Sequence, residues 1–247
     1  MLKPHATWAS VYDEIYELQF GNQYLSLTEE TVKFINSKKA NSQNFSIIDF
    51  GAGTGRTTIP LLQTKSLVTA VEPCQEMLDI LLSKAKNQNL SERLTTIQST
   101  ASEANLADSF NTKRHDFATC IFTVIAYILN DVELKSSFQN FAASLKPGGH
   151  LLIDIPSRFL FASHQFVSSE IERTVNISSI NDNSYNYSDE ICKITPHGKV
   201  VYRDNFTLRY WEITEVNTAL MNVGFVKSNE QLSLPQTGST YLCYQKV

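Results

Sequence analysis

Along the first two thirds of the chain, short apolar runs alternate with stretches whose apolar residues fall at helical spacing. Phe45 to Phe50 is a run closed by glycines, the pattern of a strand buried on both faces. Ile59, Leu61 and Leu62 open a helix, Leu67 to Val71 reads as a second strand, and Met77, Ile80, Leu81 and Leu82 mark one face of another helix. Leu94 to Gln98 and Phe117 to Phe122 give a third and a fourth strand. A helix then begins near Asn130 and Asp131, either of which suits its cap, with Leu134, Phe138, Phe141 and Leu145 on its core face. Lys146-Pro147-Gly148-Gly149 stops that helix, and His150 to Ile155 is a fifth strand. This alternation predicts a parallel sheet with helices on both faces.

Beyond Pro156 the rhythm changes. Val167 to Tyr187, Glu190 to Thr195 and Lys199 to Leu208 read as antiparallel strands, with Pro196-His197-Gly198 as a hairpin corner looser than the tightest two-residue kind. Glu212 to Val223 resembles a helix ending at Gly224, and Phe225 to Leu232 and Thr240 to Gln245 close the chain as strands. Upstream, Tyr12, Ile15, Tyr16 and Leu18 suggest one helix and Val32, Phe34 and Ile35 a second, with Ser26 and Glu29 fitting a capping box for the latter. That pair either pads the sheet or covers its ligand edge. The expected organisation is a helical cover over 1–40 and a main domain over 41–247, with 160–210 inserted as an antiparallel roof.

Composition narrows the reading. At 247 residues the chain suits one large domain, or a domain with an insertion. Its 21 basic and 25 acidic residues leave a net charge of -4 without a long run of either sign, which speaks against nucleic acid as a partner. The longest apolar stretch, Ala118 to Leu129, falls short of the roughly 20 residues a membrane helix needs. Asp13, Glu14 and Glu17 interrupt any signal-peptide core, so a cytoplasmic location is expected. Cys74, Cys120, Cys192 and Cys243 form no C-x-x-C pair and suggest neither metal site nor disulfide framework.

The stretch with chemical content is Ile47-Ile48-Asp49-Phe50-Gly51-Ala52-Gly53-Thr54-Gly55-Arg56, a buried strand breaking into three alternating glycines before a helix. Residues without a side chain let the backbone turn sharply and approach a ligand closely. Glu72 stands 21 residues beyond Gly51, at the end of the second strand, where a carboxylate accepts hydrogen bonds from both hydroxyls of an adenosine ribose. The implied ligand contains adenosine. The nicotinamide fingerprint G-x-G-x-x-G does not match, because the third glycine comes one residue early.

With this motif the sequence resembles the class I S-adenosylmethionine-dependent methyltransferases, of the small-molecule type, over most of its length. Val71-Glu72-Pro73 followed by Met77-Leu78, the Thr100-Ala101-Ser102-Glu103 turn, His115-Asp116-Phe117 and Leu145-Lys146-Pro147-Gly148-Gly149 fall in the family's order. The resemblance implies an α/β fold with a doubly wound, mostly parallel seven-stranded sheet, Rossmann-like, with the antiparallel insertion after strand five. It implies S-adenosyl-L-methionine as cofactor. Asp49 and the backbone of Gly51, Ala52, Gly53 and Gly55 would border its amino and carboxylate groups, and Glu72 its ribose. Pro73 and Met77 would lie against the adenine, Ala101 and Ser102 at its polar edge, and Phe122 beside the sulfonium. Tyr12, with Tyr16, matches an N-terminal tyrosine that covers the cofactor. Thr100 departs from the pattern, since many relatives carry an acidic residue there. Cys74 follows Pro73 after strand two rather than strand four, so a nucleophilic role is rejected. Phe122-Thr123-Val124-Ile125 replaces the Asn/Asp-Pro-Pro-Tyr/Phe motif and disfavours DNA adenine and glutamine side chains as acceptors.

The Tyr12-Asp13-Glu14-Ile15-Tyr16 opening and the Val124-Ile125-Ala126-Tyr127-Ile128 stretch point to a small-molecule acceptor, an amine or a hydroxyl, and a monomer or homodimer. A neutral amine needs no dedicated base. For an oxygen acceptor the candidate bases are Tyr16, Tyr127, His164 and His5, none of them assigned. Arg158 and Arg203 either clamp an acceptor carboxylate or are solvated surface residues. A non-catalytic S-adenosylmethionine-binding regulator and an NAD(P)-dependent oxidoreductase stay open as alternatives.

Overall fold

The computed structural model describes residues 3–39, 44–104, 114–230 and 238–247. Seven strands form the main sheet: β1 (Ser46–Phe50), β2 (Leu67–Val71), β3 (Leu94–Ile97), β4 (His115–Cys120), β5 (Leu145–Pro156), β10 (Phe225–Lys227) and β11 (Ser239–Lys246). Their order is β10-β11-β5-β4-β1-β2-β3. β1 pairs in parallel with both β2 and β4, and only β11 runs against its neighbours. The expected doubly wound sheet is therefore present. Its strand order reverses beside β1, and in such sheets the crevice outside the carboxyl ends at that reversal is where ligands sit.

Each strand sends alternate side chains to opposite faces. From β1, Ile48 and Phe50 enter a core built with α4 (Asp131–Ser144) and α5 (Ile213–Met221), among them Phe138, Phe141 and Leu220. Ile47 enters the other core with Leu61 and Leu62 of α2 (Thr58–Gln63), Leu78 and Leu81 of α3 (Gln75–Asn87), and Ile35. On α3 the buried face is Met77, Leu78, Leu81 and Ala85, while Leu82, expected to face inward, is 42% exposed. Asn130 is the residue that caps α4, its Oδ1 accepting the Glu133 N–H at 2.9 Å. Glu212 and Glu215 close a capping box on α5.

The N-terminal region departs from expectation only in where its second helix begins. The two expected helices are present, joined within α1 (Tyr12–Ser37) across a kink, but Ser26 and Glu29 lie inside the second of them without forming a cap. The break falls at Gly21, at φ 49° and ψ -128°, a conformation that glycine tolerates and residues with a Cβ rarely adopt. The second half pads the sheet through Ile35. The first half turns away and packs Ile15, with Trp8 and Val11, against Ile171 and Ile191.

Those last two residues belong to a second sheet of β6 (His164–Val167), β7 (Ile171–Ser179), β8 (Ser184–Thr195) and β9 (Gly198–Arg209), an antiparallel meander lying between β5 and α5 in sequence. The β8–β9 ladder runs out to the Thr195–Gly198 pair, so Pro196-His197 alone makes the turn, tighter than the sequence suggested. Gly198 at φ 122° absorbs the curvature. At the other end of the chain, β10 stops at Lys227, short of the expected Leu232, which lies outside the described residues. No helix among the described residues is long and apolar enough to cross a membrane.

The insertion is fastened by a buried ion pair. Arg173 donates from Nε to Asp189 Oδ1 at 3.1 Å and from Nη2 to Oδ2 at 2.7 Å, with side chains 2% and 0% exposed. Its Nη1 donates to Gln19 Oε1 of α1 at 2.8 Å. Burial acts to lower the guanidinium's affinity for its proton, but Tyr16 and Asp189 outweigh it and hold the charge firmly. Asp189→Ala, which strands the guanidinium, is expected to cost about 3–5 kcal/mol in urea denaturation, and the double change Arg173→Met with Asp189→Leu to recover most of it.

Candidate active site

At the carboxyl end of β1 the chain turns on glycines at φ 74° (Gly51), 54° (Gly53) and 90° (Gly55). Two of them are also required by packing. A Cβ on Gly51 would stand 2.4 Å from Val124 Cγ2, and one on Gly55 2.4 Å from Leu81 Cδ1. A Cβ on Gly53 would meet nothing within 4 Å. That glycine alone faces open space.

Glu72, immediately after β2, reaches back to this turn. Its Oε2 accepts the Gly53 N–H at 3.0 Å and its Oε1 the Cys74 N–H at 2.9 Å. A carboxylate has about four acceptor positions, so each oxygen keeps capacity for a further donor. The group is 8% exposed, and burial raises its pKa against the two backbone donors that lower it. Asp49, 3% exposed, is engaged differently: Thr58 Oγ1 and Thr119 Oγ1 each donate to one of its oxygens at 2.7 Å. It ties β1 to β4 and to the first turn of α2, and burial raises its pKa too.

The other expected contacts cluster nearby. Pro73 is half-buried, and Met77 is buried with Ala9 and Cys74, beside Tyr12. The Thr100–Glu103 turn is closed by its own side chains, Thr100 Oγ1 accepting the Glu103 N–H at 3.1 Å and lying 3.0 Å from Glu103 Oε2. Asn140 Nδ2 of α4 donates to the Ala101 carbonyl at 2.8 Å, and Ser102 is half-buried. Phe122 and Thr123, past β4, are both left-handed, at φ 65° and 64°. Two consecutive left-handed residues other than glycine are strained, and Asp154 near the end of β5 secures them by accepting the Thr123 N–H at 2.9 Å.

Over this edge lies the N-terminal segment. Thr54 Oγ1 of the glycine turn donates to Asp13 Oδ1 at 2.7 Å, and Lys84 bridges Asp13, at 2.6 Å, to the Thr54 carbonyl, at 2.9 Å. Tyr12 stacks between Trp8 and Tyr16 with ring centroids 5.0 and 4.6 Å away. Of the candidate bases, Tyr16, Tyr127 and His5 come together and His164 does not. His5 Nε2 is 2.7 Å from the Tyr127 hydroxyl, within rings of Trp8, Tyr12 and Phe206. Burial, with Arg173 second, lowers the His5 pKa to about 3, so its ring is neutral at physiological pH. Burial, then Tyr16, keeps the Tyr127 phenol protonated. His164 is exposed on the edge strand β6. Arg158 pairs with Glu212 at 3.0 Å and Arg203 with Glu190 at 2.6 Å, both at the surface.

Sequence reasoning passed over Arg56 and Asp154. Arg56 follows the last glycine directly, and Asp154 is the one charged residue in Leu151-Leu152-Ile153-Asp154-Ile155, which is the signal that marks it.

Residues 47–149 match the family model described as a methyltransferase domain. The chain is 29% identical over 130 residues to a protein of Geobacillus sp. (strain WCH70) that is a methyltransferase by name, covering 51% of this chain and 50% of that protein. The chain thus spans about half the length of that curated relative. Among solved structures, an S-adenosylmethionine-dependent methyltransferase from Clostridium acetobutylicum ATCC 824 superimposes with a TM-score of 0.79 at 17% identity, covering 96% of this chain and 98% of the other. S-adenosylmethionine-bound CalS10 of Micromonospora echinaspora, an amino pentose methyltransferase, gives 0.69 at 15% identity over 89% and 90%. At these identities the likeness establishes the fold. The matched segment holds the glycine turn, Glu72 and the β4 edge, while the helical N-terminus and the second sheet lie outside the matched residues.

Asp154 gives the protein a pH signature. Burial lifts its pKa from 3.8 to about 6, against the lowering pull of Ser239 and the Thr123 N–H. The unfolded chain therefore ionises it first, and its contribution to stability falls as pH rises from about 4 to about 6, by roughly 3 kcal/mol in all. Asp154→Asn keeps an acceptor for Thr123. Its urea midpoints, followed across pH 4 to 7, should lack that component of the decline seen in the parent protein.

Proposed function

We propose that the chain is an S-adenosylmethionine-dependent methyltransferase acting on a small-molecule amine. The observation that carries the reading is the Glu72 carboxylate, fixed by one backbone N–H on each oxygen beside the open face of Gly53. That arrangement fits a vicinal diol: both oxygens retain acceptor capacity, and their orientation is set before any ligand arrives. The methyltransferase-domain match and the cofactor seen in CalS10 agree with it.

In this reading the turn from Gly51 to Gly55, with Ala52, carries the amino-acid end of the cofactor, and Asp49 braces that turn from beneath. Pro73 and Met77 flank the adenine, Ala101 and Ser102 meet its polar edge, and Phe122 and Tyr12 border the sulfonium. The bound cofactor supplies a sulfonium methyl group; in-line attack by the acceptor's lone pair forms the new bond, the sulfur leaves as a thioether, and the amine afterwards sheds a proton. Residues 1–40 serve as the cover and 160–210 as the roof. Between them, Tyr127, Tyr187 and Phe206 form an aromatic cluster, with Tyr187 and Phe206 stacked at 4.7 Å and Tyr127 5.6 Å from Phe206. Rings and protonated phenols suit an amine, which they hold by polar contact and shield from water without needing a charged base. The proton would leave to solvent, since neither the Tyr127 phenol nor the His5 ring, kept neutral by burial, would take it up. CalS10, which acts on an amino pentose, supports the preference for an amine.

Calorimetric titration with S-adenosylhomocysteine and NADPH tests the reading. The expected result is micromolar S-adenosylhomocysteine binding, weakened about 10- to 100-fold or more in Glu72→Ala, the range for losing hydrogen bonds to a charged group. Binding of NADPH in place of S-adenosylhomocysteine would overturn it.

A further inference from the structure

Phe122 and Thr123 are the one pair of successive left-handed residues among the described residues; His5, Lys65 and Asn89 adopt that conformation singly. A left-handed residue that carries a Cβ is strained, and it persists only where its surroundings enforce it. At Gly51, Gly53, Gly55 and Gly198 the same chain takes positive φ with glycine, which adopts it freely. At Thr123 the enforcement comes from Asp154 of β5, whose two oxygens accept the Thr123 N–H at 2.9 and 3.2 Å. The Thr123 carbonyl in turn accepts the Ala126 N–H at 2.9 Å, within the short helical turn Val124–Tyr127. Thr123 is thus tied to the sheet through its N–H and to the following turn through its carbonyl.

Asp154 is a costly group to use for this purpose. It is 1% exposed and has no ion pair among the described residues. Burial raises its pKa, opposed by Ser239, by the Thr123 N–H and, at longer range, by Arg56. A serine or an asparagine could accept one N–H without desolvating a charge. What a carboxylate adds is a charge-assisted bond, roughly twice as strong as a neutral one, and a strained residue calls for that strength. The turn so held adjoins the glycine turn at two points. Val124 rests where a Cβ on Gly51 would have to stand, and the Phe122 ring lies against the Arg56 guanidinium, 3.6 Å from the ring centroid. Tyr24 covers that guanidinium from its own side, at 3.2 Å.

We propose that Asp154 is a positioning residue of the methyl-transfer site: through the Thr123 N–H it holds the turn carrying Phe122 and Val124 against the glycine turn, so that the cofactor meets a preformed wall. The inference rests on the methyltransferase reading above. Asp154 acts through the backbone of one residue. Without its hold, Thr123 relaxes toward negative φ and the turn leaves Gly51. The cofactor must then restore the strained turn as it binds, and the strain is subtracted from its affinity. With a glycine at that position the left-handed angle needs no enforcement, and Asp154 has nothing left to hold.

A double-mutant cycle isolates this coupling. S-adenosylhomocysteine is titrated calorimetrically at about pH 8, above the Asp154 pKa of about 6, into the parent protein, Asp154→Ala, Thr123→Gly and the double variant, with thermal melting as a check on folding. Asp154→Ala should weaken binding about 10-fold or more when Thr123 is in place, and only about twofold when Thr123→Gly is also present. A residue serving stability alone would lower the melting temperature and leave the affinity of the folded protein unmoved. Should Asp154→Ala not fold, Asp154→Asn takes its place in the cycle: it keeps a weaker, neutral acceptor, and its loss of about threefold should again vanish with Thr123→Gly. Equal affinity in the parent and the Asp154 variant, or the same loss with and without Thr123→Gly, would overturn the proposal. Failure of the parent to bind S-adenosylhomocysteine would instead bring down the methyltransferase reading itself.

Discussion

Holding a carboxylate away from water is costly unless donors surround it, and the carboxyl edge of the main sheet does this three times. Asp49 at β1, Glu72 after β2 and Asp154 at β5 are each buried, and burial raises the pKa of all three. None has a direct ion pair among the described residues. Each is held by neutral donors belonging to the loops that shape the edge: threonine hydroxyls on Asp49, the N–H groups of Gly53 and Cys74 on Glu72, and that of Thr123 on Asp154. The loops are thus organised by acceptors the sheet holds in fixed places. The arrangement gathers three buried carboxyl groups at one edge, with the Arg56 guanidinium close enough to act on Asp154.

The parts legible from sequence are those whose physics is local. Strands of a parallel sheet are buried on both faces, so Ile47-Ile48 and Leu151-Leu152-Ile153 stand out as unbroken apolar runs. The glycine turn is legible because its backbone angles exclude other residues, and Glu72 because its spacing from that turn reflects one strand-helix-strand unit. Ser26 and Glu29 carried an equally local capping signal, yet the helix runs through them and breaks at Gly21. There the tertiary demand prevailed, since the two halves of α1 serve different surfaces. Leu82 misled for a related reason: Leu78 and Ala85 complete the buried face of α3 and leave it outside.

What the sequence concealed in the site depends on pairing at a distance. Asp154 acts on Thr123, and Arg56 reaches Tyr24 on one side and Phe122 on the other. Arg173 and Asp189 are neighbours only because β7 and β8 pair in the register that sets Arg173 opposite Ile191, with Asp189 two residues along. No single stretch of residues encodes such a meeting. The charge of each residue is visible in the sequence, but whether it is solvated, paired or left waiting is decided by strand order and register.

The attachment of the second sheet has a wider consequence. Its buried faces meet the beginning of the chain: His5 donates its backbone N–H to Asp204, Thr7 donates its hydroxyl to the Arg203 carbonyl, Glu14 pairs with Lys193, and Gln19 accepts from Arg173. The first twenty residues and the meander between β5 and α5 are far apart in sequence yet form one packing unit, clamped across the sheet edge. Divergence in one half of that unit is therefore constrained by the other. Grafting the meander onto a related scaffold would require transplanting the N-terminal segment with it, and the two should be treated as a single exchangeable module.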